Sequence, residues 1–128
     1  MIILMPSNRT QTRLFIVEDS GAIRDRYRAE VQTMPHLTLC GEAVNASGAI
    51  DGILRESHDV VLLDLELEQG TGLDVLEALA DSNQHLSVVV VTNHVEPQMR
   101  ERCFHFGATH FFDKNRQFLE LLEFLERL

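Results

Sequence analysis

Val60-Val61-Leu62-Leu63-Asp64 places four consecutive apolar residues directly before a carboxylate. A strand with one wet face alternates apolar and polar residues, whereas an unbroken run is what a parallel sheet covered on both faces requires. The same pattern recurs outward from this point. Toward the amino terminus, Arg13-Leu14-Phe15-Ile16-Val17 runs into Glu18-Asp19. Toward the carboxy terminus, Val88-Val89-Val90-Val91 ends in Thr92, and Thr109-His110-Phe111-Phe112-Asp113 runs into Lys114.

The segments between these runs carry helical spacing. Ser20 can cap a helix on which Ile23, Tyr27 and Val31 recur until Pro35. Leu37–Glu42 reads as a short second strand. Ser47 precedes Ile50, Ile53 and Leu54, with Ala46 and Ala49 lining the same helix. Val60–Leu65 is the third strand, followed by a loop with Gly70 and Gly72. Leu73, Val75, Leu76 and Leu79 form a third helix, ended by Asp81-Ser82-Asn83. Leu86–Thr92 is the fourth strand. Pro97, after Glu96, suits the first turn of a fourth helix, and Gly107 suits its carboxyl cap. Thr109–Phe112 is the fifth strand, and Phe118, Leu121, Leu122, Leu125 and Leu128 make one stripe on a closing helix. Five strand–helix alternations predict an α/β fold with a parallel sheet and right-handed crossovers. Residues 1–12, with Pro6, Ser7, Asn8 and Thr10, read as a flexible extension, and residues 13–128 as one domain.

A chain of 128 residues suits one domain with one core. Its 11 Lys+Arg against 20 Asp+Glu give a net charge of −9, which argues against nonspecific nucleic-acid binding and against attraction to anionic membranes. No stretch approaches the roughly twenty apolar residues of a membrane span, and Met1-Ile2-Ile3-Leu4-Met5 is too short for a signal-peptide core. Cys40 and Cys103 lack zinc-like spacing and read as buried free thiols in a reducing cytoplasm. His36, His58, His85, His94, His105 and His110 share no ligand spacing, which argues against a zinc site.

In open parallel sheets, ligands bind outside the carboxyl ends of the strands. If the apolar runs are neighbours, Glu18, Asp19, Asp64, Thr92 and Lys114 converge there. Such a set suits a divalent cation and a phosphoryl group. Asp64 can attack phosphorus and hold the group as an acyl phosphate. Two anions meet in that step, so positive charge must be in place beforehand. Glu18 and Asp19 offer hard oxygen ligands for Mg²⁺, and the backbone carbonyl of Glu66 can complete the set. Lys114 can pair with Asp64 at rest and with phosphoryl oxygens afterwards, and Thr92 can donate to one of those oxygens. Singly, each residue also suits a duller role, such as a helix-terminal carboxylate or a solvated lysine.

This ordered set resembles the receiver domain of two-component response regulators over about residues 13–128. The motifs are Glu18-Asp19, Asp64 within Val-Val-Leu-Leu-Asp-Leu, Gly72, Thr92 after the valine run, and Phe111-Phe112-Asp113-Lys114. The resemblance implies a doubly wound, flavodoxin-like five-stranded sheet in the order 2-1-3-4-5. It implies Asp64 as phosphoacceptor, a Mg²⁺ site at Glu18, Asp19 and Asp64, and Thr92 and Lys114 as switch residues. Phe111 matches the aromatic position that turns inward in the family, and it also suits ordinary core packing. Three positions depart from the pattern: Glu68 and Asn115 stand where proline is usual, and Asn93 where a small residue is usual. Asn93 is expected to narrow access to the site, and Glu66 and His94 occupy positions that tune hydrolysis in the family.

The function implied is a phosphorylation-dependent switch or phosphorelay intermediate, rather than an enzyme turning over a free substrate. It would accept phosphoryl from a sensor histidine kinase or a histidine phosphotransfer protein. It would then present a changed surface of the fourth helix, fifth strand and fifth helix to a downstream protein or to a second copy. A chain ending on the closing helix is expected to be a stand-alone receiver. Leu119 and Phe124 lie outside the closing helix's main stripe; partner contact or packing under the amino-terminal extension would explain them. Two alternatives are a pseudo-receiver interaction module and an aspartyl-phosphate phosphatase of the dehalogenase type. The latter places its nucleophile after the first strand, with a second aspartate two positions on, which Glu18-Asp19 does not match.

Overall fold

The computed structural model of the chain describes residues 11–82 and 84–128. Among these, five strands, β1 (Thr12–Val17), β2 (Leu37–Ala43), β3 (Val60–Leu63), β4 (Ser87–Thr92) and β5 (His110–Asp113), alternate with five helices. The helices are α1 (Gly21–Gln32), α2 (Ala46–Arg55), α3 (Gly72–Ala80), α4 (Pro97–His105) and α5 (Phe118–Glu126). The strands pair in parallel in the order β2-β1-β3-β4-β5. The doubly wound sheet expected from the sequence is therefore the one the chain forms. Most of the expected extension, and Asn83, lie outside the described residues, while Thr12 opens β1.

The apolar runs are continuous because alternate residues enter different cores. Phe15, Val17, Val61, Leu63, Val88, Val90 and Phe111 pack with Ile53 of α2, Val75 and Leu76 of α3 and Cys103 of α4. Leu14, Ile16, Val60, Leu62, Val89 and Val91 pack on the opposite face with Tyr27 and Val31 of α1 and Leu121 and Leu125 of α5. Each such aliphatic side chain contributes about 1.5–3 kcal/mol when fully buried. A polar residue inside β3, all four of whose residues are buried, would have no wet face to occupy.

Local chemistry sets the helix starts. Ser20 Oγ accepts from Ile23 N at 3.3 Å, as the sequence predicts. For α2 the cap is Asn45, whose Oδ1 accepts from Gly48 N at 2.7 Å, so Ser47 lies inside the first turn. Thr71 and Asp74 form a reciprocal capping box on α3. Gly107 holds φ 104° after α4, a left-handed conformation that turns the chain into β5.

β2 departs from its neighbours. The register passes from Leu14↔Leu39 to Phe15↔Gly41, so Cys40 is an extra residue in an edge strand. Cys40 is accordingly half-buried rather than buried as expected, whereas Cys103 is buried, and both are free thiols. Phe124 also finds a partner. Its ring packs against His110 and Phe112, with centroids 4.3 and 5.8 Å away, leaving Leu119 as the exposed apolar residue of α5.

Gly72 positions the turn after Asp64. Its N–H donates to Leu65 O at 2.9 Å, and a Cβ there would run into the Asp64 carbonyl and lie 2.8 Å from Leu65 Cα. Both obstacles are backbone and cannot rotate away. Gly72→Ala is expected to cost about 2 kcal/mol by this overpacking, read as a lower denaturation midpoint at unchanged slope. An unchanged midpoint would contradict the packing described for this turn.

Candidate functional site

Parallel register builds the rim. Val17 pairs with Leu63, and Leu63 with Val90, so Glu18 and Asp64 leave the sheet side by side. Asp64 N still donates to Val17 O at 3.0 Å. Thr92 pairs with Asp113, and Lys114 N donates to Thr92 O at 2.8 Å, which starts the Lys114 side chain from the same rim.

The residues singled out in the sequence meet there. Lys114 Nζ donates to Asp64 Oδ2 at 2.8 Å and lies 2.8 Å from Glu18 Oε1. Asp64 Oδ1 accepts from Glu66 N at 3.3 Å, and Glu18 Oε2 accepts from Ser20 N at 3.1 Å. One carboxylate oxygen from each of Glu18, Asp19 and Asp64 falls within a cluster whose atoms lie no more than 4.8 Å apart. Thr92 is fully buried, and its Oγ1 accepts from His94 N at 3.1 Å. Phe111 is buried two rungs below, opposite Val90. His94 Nε2 lies 3.3 Å from Glu66 Oε2 at the mouth, and Asn93 is exposed beside it.

Charge is crowded and unbalanced in this rim. Burial, followed by the nearby Asp64 charge, raises the Glu18 pKa, although Lys114 and the Ser20 N–H act against that rise. Burial also opposes the charged form of Lys114, but its contacts with Asp64 and Glu18 outweigh this and leave its pKa raised. Glu18 Oε1 is buried and, despite its contact with Lys114, has no hydrogen bond of acceptable geometry. A buried carboxylate oxygen with spare capacity, facing two further carboxylates, fits a hard divalent cation.

Two contributors escaped the sequence reading. Arg24 Nη1 donates to the Glu18 carbonyl at 2.9 Å and ties α1 to the end of β1. Its place in the first turn of α1, facing back toward that junction, was the available signal. Tyr27 is buried, and its phenol pKa is raised by burial and by the Glu18 and Asp64 charges. The apolar stripe of α1 predicts its burial but not its nearness to the site.

A parallel sheet with an acidic cluster and a lysine at its carboxyl rim defines an α/β domain with a charged rim site, and similarity narrows the class. The response regulator receiver domain family matches residues 14–126, and the chain belongs to this family. The protein-glutamate methylesterase/protein-glutamine glutaminase of Treponema pallidum is 29% identical over 109 residues, covering 84% of this chain and 27% of that protein. Two solved structures have the same fold at TM-score 0.82. A DNA-binding response regulator of the LuxR family from Staphylococcus aureus is 25% identical, covering 91% of this chain and 97% of the other. The non-phosphorylated HemR receiver domain from Leptospira biflexa is 27% identical, covering 91% and 93%. The chain spans less than two thirds of the length of these curated relatives, 27% of the methylesterase and 58% of a Bacillus subtilis transcriptional regulatory protein. The matched region is thus a two-component signalling domain rather than an enzyme acting on a free substrate. Among the described residues, no helix is long and apolar enough to cross a membrane.

Proposed function

We propose that residues 13–128 act as a phosphorylation-dependent switch or phosphorelay intermediate in which Asp64 is the phosphoacceptor. The observation that carries this reading is the position of Lys114 Nζ, 2.8 Å from both Asp64 Oδ2 and Glu18 Oε1. An Asp64 oxygen forms the new bond to phosphorus as the bond from phosphorus to the donor histidine nitrogen breaks. That bonding pair leaves with the imidazole. Glu18, Asp19, Asp64 and the Glu66 carbonyl would hold Mg²⁺, whose charge would offset that of the two anions. Lys114 pairs with Asp64 before transfer and with a phosphoryl oxygen afterwards, and the Thr92 hydroxyl donates to another. Phe111, on the same sheet face as Thr92, is placed to sense that movement.

The donor is a phosphohistidine on a sensor histidine kinase or a histidine phosphotransfer protein. Phosphorylation biases the surface of α4, β5 and α5 toward a downstream protein or a second copy, and Leu119, 72% exposed, supports an apolar contact there. The free thiols support residence in a reducing cytoplasm. Hydrogen exchange with and without Mg²⁺ and beryllofluoride tests the switch. Altered protection in the segment from Thr92 to α5 is expected, and an identical pattern would favour an interaction module indifferent to phosphorylation.

The 3.3 Å approach of His94 to Glu66 bridges the two loops flanking Asp64 and narrows the path of an attacking water. Glu66→Ala and His94→Ala are each expected to change the half-life of the phosphorylated chain by roughly threefold, with the unfolding midpoint moved by less than about 0.5 kcal/mol. Unaltered half-lives in both variants would remove the tuning role.

A further inference from the structure

Arg100 and Phe104 stand four residues apart on α4 and therefore share a face of that helix. Arg100 Cζ lies 5.2 Å from the Phe104 ring centroid and 5.3 Å from that of Phe111 on β5. The two rings are tilted by 42° with centroids 6.4 Å apart. Both guanidinium distances fall where a cation is drawn to the ring quadrupole. Among the described residues no carboxylate pairs with Arg100, so the cation is directed at the rings. Phe104 is 39% exposed and Phe111 only 8%, so the outer ring and the guanidinium cover the inner ring.

Register places Phe111 on the same side of the sheet as Thr92 at the rim. Thr92 pairs with Asp113, and Phe111, two residues earlier on β5, points to the same side of the sheet. Phe111 and Thr92 thus lie along one face of the sheet, and a coupling between them would act equally in both directions.

We propose that Arg100 is a positioning residue. With Phe104 it forms a cation–π clamp that holds Phe111 inward before any phosphoryl group arrives, so the change that phosphorylation makes falls on the Thr92 loop, α4 and α5 rather than on this ring. The clamp deepens the switch reading and rests on it. A residue that favours the inward ring lowers the cost of the state in which Thr92 turns toward Asp64. By linkage it tightens binding of a phosphoryl mimic.

The test uses the full chain with phenylalanine rings labelled for NMR, as wild type, Arg100→Gln and Arg100→Lys. Without ligand, the wild-type Phe111 ring is expected to give one sharp, buried environment. Arg100→Gln is expected to broaden or shift it, and Arg100→Lys, which keeps a cation over the rings, to restore most of the wild-type signal. With Mg²⁺ and beryllofluoride, the wild-type Phe111 signal moves little, and Arg100→Gln binds about threefold more weakly, as loss of one exposed cation–π contact predicts. Wild-type ring signals and affinity in Arg100→Gln would overturn the clamp. A lysine variant no better than the glutamine variant would overturn it too, because side-chain shape would then be acting rather than charge. If the wild type binds no beryllofluoride, the switch reading fails, while the ligand-free ring signals still decide the clamp.

Discussion

Replacing Lys114 with methionine is expected to destabilise the metal-free chain by about 3 kcal/mol at neutral pH, a fall of about 10 °C in melting temperature. The Lys114 side chain is 13% exposed and contacts two carboxylates that are almost fully buried. Removing it leaves Glu18 and Asp64 facing one another with Asp19 nearby and no cation between them. The pH dependence has a definite sign. The Lys114 pKa is raised in the fold, so its contribution is complete at neutral pH and is lost only as alkaline pH passes that raised value. The deficit of the methionine variant should therefore be largest above the carboxylate range and shrink in acid, as Glu18 becomes neutral. Added Mg²⁺ should recover much of it. A variant melting with the wild type at neutral pH would mean that the lysine contacts carry little energy.

Glu18→Gln should act in the opposite direction. The Glu18 pKa is raised, chiefly by burial, so its charged form is a net cost in the metal-free fold despite Lys114. A group of this kind contributes stability while protonated in acid and loses it as pH rises through the raised pKa. The neutral isostere is therefore expected to stabilise the metal-free chain by about 1 kcal/mol at neutral pH, with the gain vanishing below the carboxylate range. The same change should abolish any rise in melting temperature with Mg²⁺ expected of the wild type, since one of three hard ligands is gone. Thermal melts at two pH values with a Mg²⁺ series separate these effects. A destabilised variant that still responds to Mg²⁺ would contradict the site as described.

The contrast between what the sequence discloses and what it withholds has physical causes. The strands were readable because a doubly covered parallel strand has no polar face, and Val60–Leu63 is a short, β-branched-rich apolar run of that kind. The rim was readable because polar residues that end such runs must emerge at one edge, which puts Lys114, fifty residues from Asp64 in sequence, within 2.8 Å of it. Choices between near-equivalent neighbours were not readable. Asn45 rather than Ser47 caps α2, since both are competent caps two residues apart. The bulge at Cys40 depends on how β2 meets β1, which no local pattern encodes. Phe124 looks surplus on a helical wheel because its partners, His110 and Phe112, belong to β5. Arg100 looks like a solvated surface cation until β5 brings Phe111 beneath it.

The most direct measurement is the intact mass of the chain after incubation with a small acyl phosphate donor, with and without Mg²⁺, beside Asp64→Asn. The account predicts one added phosphoryl group in the wild type, formed only with Mg²⁺, labile in alkali as an acyl phosphate must be, and missing from Asp64→Asn. A phosphoryl group that persists in Asp64→Asn, or a wild type that never gains one while its Mg²⁺ response is intact, would contradict it.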